Sequence, residues 1–522
     1  MFAKINLFNN ENRELKKCFS FFFIVAICGY LAIMVSGYPH DDDYCRYLVN
    51  VNVGTFSSNR IFTFLLESFT YLSNTITDIA PFSHVLSCFF LSYGAVVCLK
   101  IFNIDLNNKL EVACFVPVAV NPYMLEIMLY RFDNPFSTLA LLLCIIAAYV
   151  STKNKKELLL TQTGLFLLSV FMYQPATSAY FILGIMKFLE ELCEGRSFSQ
   201  TISKMRYWLY TVLISIIVYI PFTYRITYPT TSDGSVVALP INIGNINIIA
   251  WNIVAYYKNL WTDWSGNNAG IILFATFIIY VLYSLTKLKI KKFTIICAYI
   301  FGVFALTLCP LGASVILKTF FFQGNETIPP RILYSMGILI SGAIYRISSL
   351  FKISEKFYRF YGFVVAFFCL WNIIFMNSSG NIIRNFRILQ RQVLYDVSKD
   401  IHEIRKQNKT LLKFFCCTGN LQTYAMNNFA ELYPIIYKII PEPWYMPTMC
   451  RIAMIDYNFA ESFKKYLSAN KSFAPNKCSN KKLIKSRHLY DIFILDNEVI
   501  QVHFKSSRKF EERFLDYAQI DE

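Results

Sequence analysis

Apolar residues come along this chain in long runs, not in the alternation of a half-buried strand. The first is CFSFFFIVAICGYLAIMVS at 18–36, and similar runs recur near 81–102, 111–130, 136–151, 157–173, 177–193, 207–223, 269–286, 293–312, 331–348 and 360–376. Each approaches the ~20 residues that a helix needs to cross the hydrocarbon of a bilayer, so the pattern predicts roughly eleven transmembrane helices. Two further stretches read as helices lying along the membrane surface. RIFTFLLESFTYLSNTI (60–76) is amphipathic but carries Glu67, and IIAWNIVAYYKNLWTDW (248–264) has the Trp and Tyr content of an interfacial helix. After residue 376 the pattern changes. NIIRNFRILQRQVLYDVSKDIHEIRKQ (381–407) reads as a helix, and HLYDIFILDNEVIQVHFK (488–505) as a hairpin turning at Asp496-Asn497. The expected organisation is an all-α polytopic membrane domain over 1–376 and a small α/β or α+β domain over 377–522.

Composition agrees with the pattern. Of 522 residues, 55% are apolar and 16% charged, against about 25% charged in soluble domains. Soluble, fibrous and nucleic-acid-binding classes drop out. The net charge of +16 does not bring nucleic acid back as a partner, because the basic residues form no patch interleaved with aromatics. They concentrate in the last part of the chain and in alternate short turns, among them Lys16-Lys17, Lys153 to Lys156 and Lys287 to Lys292. By the positive-inside rule these turns and the N-terminus are cytoplasmic, and an odd number of spans puts the tail outside. The first run lacks a small-residue cleavage site and reads as a retained helix. No GxxxxGK[ST] motif occurs, which argues against an ATP-driven pump. The fifteen cysteines fall mostly inside apolar runs, as small hydrophobes do.

With that orientation, the polar groups worth weighing stand at the outer turns. PHDDDYCRYLVN (39–50) places Asp41, Asp42 and Asp43 just past the first span, with Arg46 one helical turn on. Crowded carboxylates raise the pKa of at least one of them, and a carboxylate so raised is a better general base near neutrality. The bland reading is an N-cap and a solvated acidic loop. LYRFDNP places Arg131 and Asp133 at the next outer turn, with Glu126 about one turn before. MYQPAT contributes Tyr173 and Gln174, and ETIPPR contributes Glu326 and Arg331. Singly, each fits helix capping or interfacial anchoring. Together they outline the rim of one cavity opening outward. His40 beside the aspartates invites a metal reading, but adjacent residues cannot all point into one octahedral site. No metal site and no required cofactor are expected, a divalent cation being the remote exception.

The order DDxxR after the first span, then YRFD, YQPA, a PR before a late span and NFRILQRQ after the last, resembles a known family. These are the membrane glucosyltransferases that modify bacterial O-antigen, the serotype-converting glucosyltransferase II family. The resemblance runs from about residue 25 to about residue 395, and SSNRIF departs from it in having Asn59 where the family tends to glycine. It implies a GT-C type fold in the bacterial inner membrane, with the N-terminus cytoplasmic and the C-terminus periplasmic. It also implies an undecaprenyl-phosphate-linked glucose donor and a lipid-linked O-antigen acceptor. A companion flippase and a donor-synthesising glucosyltransferase would be partners. Such chemistry needs a base for the acceptor proton and cations for the leaving phosphate. Asp42 or Asp43 is then the base, and Arg46, Arg131 and Arg331 the phosphate ligands, since guanidinium grips phosphate bidentately. Asp133, Tyr173 and Gln174 would meet sugar hydroxyls or orient the arginines, and the resemblance adds Arg60 to the substrate-binding set. The competing readings are a transporter or flippase for lipid-linked sugars and an O-antigen polymerase. A transporter would favour an internal repeat and polar groups near the midplane, and neither stands out.

Overall fold

The computed structural model describes residues 13–38, 43, 60–71, 78–226, 246–265, 268–286, 288, 293–316, 328–352, 354–407, 414–419, 430, 432–433, 435–439, 481–495 and 499–504. Apolar runs without internal proline become single helices. The first gives α1 (Arg13–Ser36); the amphipathic stretch after it gives α2 (Ile61–Tyr71), and the next run gives α3 (Phe82–Ile101). The run at 111–130 does not form the one helix expected of it. It breaks into α4 (Lys109–Ala113), α5 (Val116–Ala119), a 3-10 turn at Pro122–Met124 and α6 (Leu125–Leu129). Pro117 and Pro122 each remove a helical N–H donor. Asn121 repairs the gap: its side chain donates to the Pro117 carbonyl at 3.0 Å and accepts the Tyr123 N–H at 3.1 Å. Irregular backbone of this kind is tolerated at membrane depth only when wrapped in protein, and Val116 to Leu129 are all buried.

The regular pattern then resumes with α7 (Asn134–Tyr149), α8 (Lys155–Met172), α9 (Thr177–Cys193) and α10 (Phe198–Ile226). Asn154 caps α8 by accepting the N–H groups of Lys156 and Glu157. The Trp/Tyr-rich stretch is α11 (Ile246–Ser265), followed by α12 (Asn268–Thr286) and α13 (Phe293–Leu308). The span expected at 331–348 starts later, as α14 (Met336–Phe351), because the consecutive prolines at 329 and 330 hold a 3-10 turn at Pro330–Ile332. Among the described residues, six helical stretches are long and apolar enough to cross a membrane: Arg13–Ser36, Phe82–Ile101, Lys109–Leu129, Phe198–Phe222, Phe293–Gly312 and Glu355–Ile404. The protein is a helical membrane protein.

The last helix, α15 (Glu355–Gln407), runs 53 residues and passes position 376 without a break. At ~1.5 Å per residue it is about 80 Å long, far beyond the ~30 Å of a hydrocarbon core. It crosses α1 closely. A Cβ on Gly380 would lie 2.6 Å from the Ile33 nitrogen, and Asn377 donates across the helices to the Cys28 carbonyl at 2.7 Å. Small residues and interhelical amides of this kind bring membrane helices together. Past the apolar run, Ile383, Phe386, Val393, Val397, Ile401 and Ile404 keep a buried stripe at helical spacing.

That stripe leads to a four-stranded sheet in the order β1–β4–β3–β2. β1 (Phe414–Gly419) is parallel to β4 (Val499–Phe504), while β3 (Tyr490–Leu495) is antiparallel to β4 and to β2 (Lys481–Ser486). The expected hairpin is the β3–β4 pair, with Leu495 opposite Val499; its turn at Asp496-Asn497 lies outside the described residues. Asp400 of α15 anchors the sheet by accepting from Lys485, Arg487 and Tyr490 at 2.6 to 2.9 Å. A short helix, α16 (Ile435–Ile439), lies between β1 and β2 in sequence.

Candidate functional site

The site is built around the turn between α6 and α7. Tyr130 leaves the helix with an extended backbone, and Pro135 sits in the first turn of α7, so residues 130–133 form a short non-helical link. Its side chains reach three other segments. Tyr130 is hydrogen-bonded to the Arg331 guanidinium, which lies over its ring 5.4 Å from the centroid. Arg131 pairs with Asp78 through Nε at 2.9 Å and Nη2 at 2.7 Å, while its backbone N–H donates to Asp43 Oδ2 at 2.8 Å. Asp133 takes Arg60 Nη1 at 3.3 Å.

Two flanking elements complete the cluster. The Pro330–Ile332 turn presents Arg331 to Glu126 of α6 twice: the backbone N–H meets Oε2 at 2.9 Å and Nη1 meets Oε1 at 3.0 Å. On the other side, the 3-10 turn at Gln174–Ala176 follows Tyr173, whose ring carries the Arg60 guanidinium 4.9 Å from its centroid and whose hydroxyl is 3.5 Å from the Arg331 carbonyl. Gln174 donates instead to the Tyr219 hydroxyl of α10 at 3.1 Å.

A family model described as Glucosyl transferase GtrII matches residues 31–340. The chain belongs to this family. The search of curated proteins and that of solved structures gave no match. The GtrII stretch takes in every group just described, from Asp43 to Arg331, and stops within α14, so the rest of α14 and all of α15, the sheet and α16 lie beyond it. Membership makes the protein a glycosyltransferase, as the motif order implies.

In this GtrII protein each described arginine of the site has a carboxylate partner: Arg60 with Asp133, Arg131 with Asp78, Arg331 with Glu126. Glu126 is 3% exposed and Asp43 fully buried. Burying such groups costs desolvation that the attraction between them does not reliably return, so they are poor stabilisers and mark a site that needs charge in place. The pairs orient the guanidinium groups, each of which has more N–H donors than one carboxylate uses. Arg60 is held most loosely, and its Nε is buried with no hydrogen-bond partner among the described residues. Asn134, next to Asp133, is likewise fully buried with its amide unpartnered among the described residues. Buried polar groups left in this way call for an explanation, and a ligand is one.

Of the residues singled out in the sequence, Arg60, Arg131, Asp133, Tyr173 and Arg331 converge, and Asp43 joins them through the Arg131 backbone. Gln174 is adjacent but turns to α10. Asp42, Arg46, Glu326 and His40 lie outside the described residues. Two partners, Tyr130 and Asp78, had no role assigned from sequence, and Glu126 was placed on the rim without a partner. Glu126 had a signal, since an acidic residue inside an apolar run is a functional candidate by default. Asp78 had none.

Proposed function

We propose that this GtrII-family protein transfers a glucosyl, or related hexosyl, residue from an undecaprenyl-phosphate-linked donor to a hydroxyl of lipid-linked O-antigen. The reaction runs at the periplasmic face of the bacterial inner membrane. The observation that carries this reading is the convergence of Arg60, Arg131 and Arg331 on one turn, each oriented by a carboxylate. Such a rim suits the diester phosphate of a lipid-linked sugar. A carboxylate of the Asp42–Asp43 pair takes the acceptor proton as the acceptor oxygen attacks C1. The bond from C1 to the phosphate oxygen breaks, and undecaprenyl phosphate leaves with the electron pair. Arg46, Arg60, Arg131 and Arg331 hold that phosphate; Asp133, Tyr173 and Gln174 meet the sugar or steady the arginines. A phosphate leaves without strong acid help, so one carboxylate serves where a glycosidase needs two.

The test is the purified protein in lipid nanodiscs with undecaprenyl-phosphate glucose and an O-antigen lipid. Transfer is expected from the wild type, unchanged by EDTA, and lost in Asp42→Asn or Asp43→Asn. Normal turnover by both variants would remove the base assignment, and an EDTA-sensitive reaction would bring in a divalent cation. Glycan analysis with and without the protein separates the competing activities. An added side-branch hexose supports transfer, whereas an altered chain length supports a polymerase. Lost surface polysaccharide with intermediates trapped in the inner leaflet supports a flippase.

A further inference from the structure

The matched stretch ends at residue 340, yet the chain beyond it returns to the site. α16 packs on α11 and on the Pro330–Ile332 turn that carries Arg331. Ala430, Ile435, Ile436 and Ile439 are buried in that seat, and the Tyr433 ring stands edge-on to Phe375 of α15 at 5.0 Å. Within this apolar contact lies a charge pair. Lys438 Nζ is 2.5 Å from Asp263 Oδ1, with side chains only 7% and 1% exposed. The other carboxylate oxygen of Asp263 accepts from the Tyr123 hydroxyl at 3.3 Å, and Tyr123 stands just before α6 and its Glu126. One turn earlier on α11, the Asn259 side chain accepts the Ile328 N–H at 3.1 Å, at the approach to Pro329-Pro330-Arg331. α11 is therefore joined at once to the tail, to the segment bearing Glu126 and to the segment bearing Arg331.

A five-residue helix has little stability of its own, and a buried ion pair is an expensive way to fasten a tail. Burial lifts the Asp263 carboxyl to about 6, against the pull of the Lys438 ammonium and the Tyr123 hydroxyl. A carboxylate buried this deeply needs a counter-charge, and the Lys438 ammonium stands against it. We infer that Lys438 is a positioning residue of the transfer site. By neutralising Asp263 it seats α16 as a wall against the Arg331 turn, and so fixes the Glu126–Arg331 pair that holds the donor phosphate. This rests on the donor reading above.

The experiment uses the full-length protein in nanodiscs with undecaprenyl-phosphate glucose as donor, measuring donor KM and kcat separately. Hydrogen exchange is followed at 328–336 and 430–439. Lys438→Met is expected to raise donor KM about tenfold with a smaller change in kcat, and to loosen both segments, since it leaves a buried carboxylate uncompensated. Lys438→Arg keeps a cation and retains most donor affinity. The double variant Asp263→Asn with Lys438→Met removes both charges and recovers protection and KM to within about threefold. Loosened 430–439 with an unchanged donor KM would overturn the inference, as would a Lys438→Met protein that keeps both protection and KM. If Lys438→Met fails to fold, the double variant decides: seated segments with a normal KM support the inference, and loosened ones overturn it. A wild type that transfers nothing sinks the donor reading instead. Exchange at 328–336 then judges Lys438 alone, loosening supporting its positioning role and no change overturning it.

Discussion

Asp43 can be a base or an anchor, and its geometry separates the two. Its Oδ2 accepts the Arg131 backbone N–H, a bond that an asparagine oxygen can also accept. Asp43→Asn therefore keeps the anchor and removes the basicity, whereas Asp43→Ala removes both. For a proton acceptor, Asp43→Asn should fall in kcat by about 10²–10⁴-fold at unchanged folding, as deep a loss as Asp43→Ala. An active Asp43→Asn beside a dead Asp43→Ala would leave Asp43 the anchor alone. Arg60 offers a second comparison. Lysine can still pair with Asp133 but loses the planar stack on Tyr173 and the Nε donor. Arg60→Lys should raise donor KM about tenfold with a smaller change in kcat. Equal KM values would remove Arg60 from donor binding. The motifs were legible because polar groups in YRFD and YQPA stand out at the ends of apolar runs. Their partners were not. Asp78 lies 53 positions from Arg131 and Glu126 lies 205 from Arg331, and such pairs exist only once helices are arranged.

At the scale of elements, runs and their ends were readable, and so was the break at Pro117 and Pro122, had the prolines been weighed above the apolar count. Buried by its neighbours, the interrupted segment does what a straight helix could not: it turns Glu126 and Tyr130 toward Arg331. Which helix faces which was not readable, because periodicity reports a buried face without naming what buries it. The pairing of α1 with α15, from opposite parts of the chain, is the clearest case. It hinges on Gly380, where a Cβ would meet the backbone of Ile33 and Ala32 at 2.6 and 2.7 Å. Backbone cannot rotate aside as a side chain can, so overpacking there should cost about 1–3 kcal/mol for alanine, with leucine worse. Thermal unfolding of the detergent-solubilised variants measures this. A Gly380→Leu protein melting with the wild type would mean that the two helices do not cross so closely.

Across the whole molecule, site and basic turns occupy opposite ends of the same helices. α9 starts at Thr177, beside Tyr173 and Gln174, and ends by Glu190, which pairs with Lys187 at 2.9 Å and with Arg346 at 2.7 Å. α14 starts just after Arg331 and carries Arg346 toward its other end. Lys352 beyond it takes Glu111 at 2.5 Å. The arginines near the YRFD turn and the cations of the far end are thus separated by about a helix length, and among the described residues the Lys-rich turn at 153–156 joins α7 and α8 at the end away from the site. On the proposed reading, cytoplasmic retention of Lys and Arg would orient the molecule with the site outward. This division was legible as charge asymmetry alone; against the roughly eleven crossings expected, six stretches among the described residues meet the length criterion, since short and broken helices blur it. An orientation test follows. In spheroplasts, added protease should remove a C-terminal tag and spare an N-terminal one until the membrane is opened. The reverse pattern would place the Arg60, Arg131 and Arg331 rim toward the cytosol. A sugar lipid already flipped to the outer leaflet would then sit a full bilayer away from the groups proposed to hold its phosphate, and the transfer reaction would have to draw its donor from the inner leaflet.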